Sequence, residues 1–154
     1  GTSQDKHRFE LAKLFGATHT INLDQEDAVE RVRELTDGML ADVVVDVTGA
    51  TASLPLSLEL VRPMGTLVIG SNTGAQEASI IPSRIPVKEI RVQGVNSHDT
   101  PAVRAAIKIV ESRCFPIERM VTHHFSLEQA EEAVHTAGGE LQAEGFIKGV
   151  IVPE

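Results

Sequence analysis

Two apolar runs in the stretch Ala41 to Gly74 each end in small residues: Val47, Thr48 and Gly49 after Asp46, and Gly70 and Ser71 after Ile69. At the carboxyl ends of parallel strands such residues let a flat or phosphorylated ligand approach the backbone. The glycines could equally make turns and nothing more, so another signal has to decide. Groups with reactive side chains are poorer candidates. Ser97, His98 and Asp99 are consecutive, whereas hydrolytic triads converge from separate segments, so these three read as turn and helix cap. His123 and His124 are adjacent; in a strand they point to opposite faces and cannot grip one metal together. Cys114 has no second thiol. The phosphate loops G-x-G-x-x-G and G-x-x-x-x-G-K-[ST] and the G-x-S-x-G elbow are absent. Basic residues carry more information: Lys6 and Arg8 lie in the first helical turns beside Ser3, and Lys148 sits among apolar neighbours that would leave its charge in need of a partner.

The elements that must position these residues alternate between strand and helix. DKHRFELAKLFGA is a helix closed by Gly16, with Phe9, Ala12 and Phe15 on one face. His19 to Leu23 is a short strand candidate, and Asp24 or Asp27 caps a helix with Val29, Val32 and Leu35 as its buried stripe and Gly38 as its stop. Val43 to Val45 and Leu67 to Ile69 are unbroken apolar runs, the pattern of strands buried on both faces. Between them Ser53 caps a helix carrying Pro55 in its first turn and Leu54, Leu58 and Val61 on one face, which Pro63 and Gly65 end. The segment AQEASIIPSRIPVKEI reads as loop. Ile90 to Val95 alternates as an edge strand does, and Asp99 or Thr100 caps a helix with Pro101 in its first turn and Val103, Ile107 and Val110 at helical spacing. Val121 to Phe125 is extended, Ser126 and Gln129 form a capping box, and Phe146 to Val152 is a final strand. The class expected is α/β, a Rossmann-like parallel sheet with helices on both faces, incomplete at its N-terminal side.

Composition removes other classes. The 154 residues make one domain of ordinary size, and a net charge of −8 with Phe as the only aromatic type argues against a nucleic-acid or anionic-membrane surface. One cysteine excludes an internal disulfide and fits a reducing compartment, and no apolar run approaches the length of a membrane span. A soluble, cytoplasmic protein is expected.

In order and spacing, the helix ending in FGAT, the strand ADVVVDVTGA, RPMGTLVIG, VKEIRVQG and the closing EGFIKGVIV resemble the cofactor-binding domain of medium-chain, zinc-dependent alcohol dehydrogenases, from the end of its second strand to its last. The resemblance implies that Val47 and Thr48 flank the adenine and its ribose, that Ile69, Gly70 and Ser71 with Val95 and Ser97 meet the nicotinamide end, and that Lys148 reaches the pyrophosphate. Ser3 falls where NAD-specific members carry an acidic residue, so Thr2, Ser3, Lys6 and Arg8 could receive a 2′-phosphate, and NADP is expected over NAD. In the family the first strand, its glycine-rich turn and the zinc domain come earlier than Gly1. Residues 1–154 are therefore expected to be a partial Rossmann domain with no catalytic residue and no zinc of their own. The function implied is hydride transfer between nicotinamide and a small alcohol or carbonyl compound in the parent enzyme. A zinc-free quinone or enoyl reductase of the same superfamily and a non-catalytic nucleotide-binding or assembly module are the alternatives, since fold does not fix function. The resemblance also implies a homodimer through Ile90 to Val95, and edges at His19–Leu23 and Val43–Val47 that either pair with each other, are filled by a second chain, or face strands encoded outside these residues.

Overall fold

The computed structural model describes residues 1–153, which fall into two compact units: residues 21–98, and residues 1–20 together with those from 99 on. Both combine helices with short parallel strands.

In the unit of residues 21–98, Asp27 starts helix α2 (Ala28–Leu35), its carboxylate accepting the N–H groups of Val29 at 2.8 Å and Glu30 at 2.9 Å. Helix α1 (Lys6–Leu14) belongs to the other unit. Two of the donors that a helix cannot satisfy internally are met in this way. Gly38 closes α2 by donating to the Arg33 carbonyl at 2.8 Å. Strands β1 (Ala41–Asp46), β2 (Val61–Ile69) and β3 (Arg91–Gly94) then form a parallel sheet in that order, linked through α3 (Ser53–Leu60) and α4 (Arg84–Lys88). Leu58, Val61, Leu67 and Ile90 make the core, and Val44, Leu54, Ile69, Ile80 and Ile85 pack against it.

Several local expectations are corrected here. His19 to Leu23 forms no strand; Asn22 instead accepts from Gln25 and Glu26 through its carbonyl, and local turn bonding takes the place of a ladder. Ser53 is the first helical residue rather than the cap, because its hydroxyl is drawn to Asp46 and to the Ala50 carbonyl. Helix α3 stops at Leu60 without help from Pro63 or Gly65, both of which lie inside β2. The pairing register jumps there, from Ala41 opposite Val61 to Val43 opposite Thr66, so a bulge absorbs the proline. A side chain on Gly65 would stand 2.9 Å from the carbonyl oxygens of Arg62 and Asp42, which leaves room only for glycine in that bulge. The segment read as loop contains α4, since Pro86 sits in its first turn, where a missing N–H costs nothing. Finally, Val43 and Val45 are 57% and 59% exposed, so β1 is covered on one face only, through Val44 and Asp46.

In the other unit, a 3₁₀ turn (Ser3–Asp5) leads into α1 (Lys6–Leu14), which Gly16 closes by donating to the Lys13 carbonyl. Asp99 caps α5 (Thr100–Ser112) by accepting the Ala102 N–H at 2.8 Å, with Pro101 in the first turn as expected. Strands β4 (His123–Phe125) and β5 (Gly149–Ile151) pair in parallel. Between them Ser126 and Gln129 form the capping box that leads into α6 (Ala130–Ala137). The rings of Phe15 and Phe115 stack with centroids 6.0 Å apart. The last strand is shorter than expected, so Lys148 lies just outside it and is exposed; its charge faces solvent, and the case built on its burial fails. Val103, Ile107 and Val110 share a face of α5 but are exposed. Among the described residues no helix is long and apolar enough to cross a membrane.

Candidate functional site

In the unit of residues 21–98 the three parallel strands end level with one another. Asp46 pairs with Ile69, and Ile69 with Gly94. The row continues one step further, since Gly70 donates its N–H to the Asp46 carbonyl at 2.9 Å and Val95 donates to the Ile69 carbonyl at 2.8 Å. Val47, Thr48, Ile69, Gly70, Ser71 and Val95 are therefore brought together at one end of the sheet, with Ser97 two residues beyond Val95 in the left-handed region at φ 62°. Val47 is 69% exposed at this rim, and a side chain on Gly70 would approach its Cγ1 to 3.4 Å. Ser97, His98 and Asp99 form no catalytic constellation: Asp99 is committed to capping α5.

The turn after β1 is fixed by the acidic side chain that ends the strand. Asp46 is 4% exposed, and its Oδ1 accepts both the N–H of Thr48 at 3.0 Å and the Thr48 hydroxyl at 2.9 Å. Its Oδ2 stands 2.6 Å from Ser53 Oγ, whose single proton is shared with the Ala50 carbonyl. Burial alone would push this carboxyl up; the Ser53 hydroxyl and the two Thr48 donors outweigh it and hold the group below the usual carboxylate range. The charge is thus turned into the protein, and the rim presents neutral groups. Gly49 follows at φ 73° with the Asn72 carbonyl 3.0 Å from where a Cβ would be, so the loops after β1 and β2 touch through backbone. Asp46 and Asn72 were missed in the sequence as site-forming residues; a lone carboxylate closing a run of valines was the available signal for the first.

The remaining candidates fall in the other unit. Thr2 caps the Ser3–Asp5 turn, and its N–H donates to Asp5 Oδ2 at 2.8 Å. That N–H, working against burial, holds the Asp5 carboxyl low, with the Thr2 hydroxyl and the Arg8 guanidinium 3.5 Å away assisting. Arg8 also reaches the Phe146 carbonyl at 3.3 Å. Lys6 and Arg8 share the wall of an open cavity of about 990 Å³, whose other side is the loop from Gly139 to Ile147. Lys148 is not in that wall; its carbonyl accepts the Thr122 N–H at 2.9 Å and its side chain is exposed. Among the described residues no group of three or more His, Cys, Asp and Glu side chains could hold a metal ion.

Comparison with known proteins gives this geometry a context. Residues 1–112 match the family profile described as zinc-binding dehydrogenase. A probable alcohol dehydrogenase of Mycobacterium tuberculosis is 35% identical over 153 residues, covering 97% of this chain and 41% of its own length. An erythritol/L-threitol dehydrogenase of Mycolicibacterium smegmatis is 35% identical over 132 residues, covering 82% of this chain and 35% of its own length. A solved structure assigned as a zinc-binding dehydrogenase from Sinorhizobium meliloti 1021, bound to NADP, superposes with a TM-score of 0.84 at 26% identity, covering 99% of this chain and 44% of its own. The chain thus spans about two fifths of the length of these relatives.

Proposed function

The chain belongs to the zinc-binding dehydrogenase family, and from that premise we propose that it is the nicotinamide-cofactor-binding part of an alcohol or polyol dehydrogenase. The observation that carries this is the level row of strand ends, where Val47, Thr48, Gly70 and Ser71 present small neutral groups while the Asp46 carboxylate is turned inward. Val47, Thr48, Gly70 and Ser71 themselves bring no charge against an anionic dinucleotide, and the bare backbone at Gly70 admits a flat ring. Val47 and Thr48 would hold the adenosine side; Ile69, Gly70, Ser71, Val95 and Ser97 would hold the nicotinamide side. The bound cofactor supplies the hydride chemistry, and these residues orient it and exclude water from it. Zinc, which the family description names, would supply polarisation of the substrate oxygen in the whole enzyme.

The finer choice is NADP. Ser3 brings no carboxylate to the position expected to face the ribose, and Lys6 and Arg8 lie close by in the first turns of α1. Asp5 is the counterweight, but Thr2 and Arg8 occupy its oxygens. Titration of the full-length protein with NADPH and NADH tests both levels. Binding of either supports the cofactor role, tighter NADPH binding supports the preference, and an NADPH-to-NADH affinity ratio well below one removes it. The 154 residues alone are expected to show no turnover; zinc-dependent alcohol oxidation by them would refute that.

A homodimer through Ile90 to Val95 is supported by the position of β3 at the edge of its sheet with Arg91 to Gly94 exposed. A monodisperse monomer at micromolar concentration would contradict it. One exposed, unpaired cysteine, Cys114, fits a cytoplasmic setting.

A further inference from the structure

Asp46 is not itself assigned to the cofactor, yet it bonds two residues that are, Thr48 and Gly70. Its carboxylate meets the N–H and the hydroxyl of Thr48 and the hydroxyl of Ser53, and its carbonyl takes the Gly70 N–H. The chain of bonds runs on, because Thr48 Oγ1 accepts the Ala50 N–H at 3.2 Å. One buried residue therefore ties the end of β1 to the following turn, to the first residue of α3 and to the end of β2.

We propose that Asp46 is the positioning residue of the cofactor seat: its carboxylate sets the Val47–Ala50 turn, and with it the wall expected to lie against the adenosine. The inference rests on the cofactor reading above for what the turn is for, but not for what holds the turn. An ionised carboxylate suits the task because it accepts without donating, and all three groups facing it carry protons. Without it, the Thr48 N–H loses its partner and the turn has no bond to the strand through this side chain.

The test compares Asp46→Ala, Asp46→Asn and Thr48→Val in the full-length protein, with the core variant Leu58→Ala as a control for simple loss of stability. Asn keeps one accepting oxygen for Thr48, so it serves as the conservative rescue. Asp46→Ala is expected to raise the Kd for NADPH or NADH by about tenfold or more, with kcat at saturating cofactor changed less than about twofold. Amide hydrogen exchange at Thr48 and Ala50 in the cofactor-free protein is expected to quicken in the same variant. Thr48→Val should shift Kd the same way by a smaller factor, Asp46→Asn should recover most of the loss, and Leu58→Ala should leave Kd unchanged. Should Asp46→Ala fail to fold, Thr48→Val and Asp46→Asn carry the comparison. The proposal is overturned if the Asp46 and Thr48 variants lose stability as Leu58→Ala does while Kd and local exchange stay as in wild type. A wild-type protein that binds neither nicotinamide cofactor fails the cofactor reading instead, and the exchange data still decide whether Asp46 holds the turn.

Discussion

A Cβ on Gly49 would stand 3.0 Å from the carbonyl oxygen of Asn72, so the turn after β1 and the loop after β2 meet through bare backbone. With φ at 73° the position is also one that L side chains rarely adopt. Gly49→Ala combines both penalties, and a loss of about 1–2 kcal/mol of stability is expected, together with severalfold weaker cofactor binding. Chemical denaturation and a cofactor titration on the same preparation check this. Unchanged affinity would show that the contact between the two loops does not shape the seat.

Lys88 has a structural role at the opposite end of α3. Its ammonium donates to the carbonyls of Leu58, Glu59 and Val61 at 2.7, 2.9 and 2.9 Å, closing the C-terminus of a helix that runs straight into a strand. Burial lowers its pKa, against the pull of Glu59, but its three partners suit a cation at a helix C-terminus. Lys88→Met leaves those carbonyls without this donor and should cost about 1–3 kcal/mol. Urea melts should show that loss while cofactor affinity stays as in wild type; a matching loss of affinity would mean that the sheet transmits the change.

Acid should erase the Asp46 contribution in a defined direction. Its folded pKa lies below that of an unfolded chain, near 3.9. The stabilisation is therefore full above about pH 4 and is lost as pH falls through the lower, folded value. Asp5 behaves in the same sense. The stability gap between wild type and Asp46→Ala is expected to close on acidification, as read from denaturant melts at successive pH values. A gap that stays constant down to about pH 2 would mean the carboxylate charge is not what the Thr48 and Ser53 donors recognise.

Cofactor preference gives a fourth expectation. Ser3→Asp would place a second carboxylate at the start of the Ser3–Asp5 turn. Against a 2′-phosphate this should weaken NADPH by about tenfold or more and leave NADH within a few fold, because like charges brought together are strongly disfavoured. Equal effects on both cofactors would remove the 2′-phosphate from this region.

Much of this was legible in local chemistry. Asp27, Asp99 and the Ser126–Gln129 pair announce their helices because a side-chain oxygen near the right N–H works whatever surrounds it. The strand ends at Val47 and Gly70 could be read because small residues after apolar runs mark where a parallel sheet stops. What failed depended on distant partners or on position within an element. His19 to Leu23 has the composition of a strand but no ladder. Val43 and Val45 have the composition of a sheet interior, yet one face of β1 is open. Pro86 reads as a breaker, and in the first turn of α4 it is harmless. Lys148 has apolar neighbours on both sides, and a shift of the strand start by a few residues was enough to put it in solvent.

The most direct measurement is a crystal structure of the full-length protein with NADPH or NADH bound. The account expects the dinucleotide across the carboxyl ends of β1, β2 and β3, its adenosine against Val47 and Thr48 and its nicotinamide beside Ile69, Gly70 and Ser71. A cofactor found away from these three strand ends would contradict it.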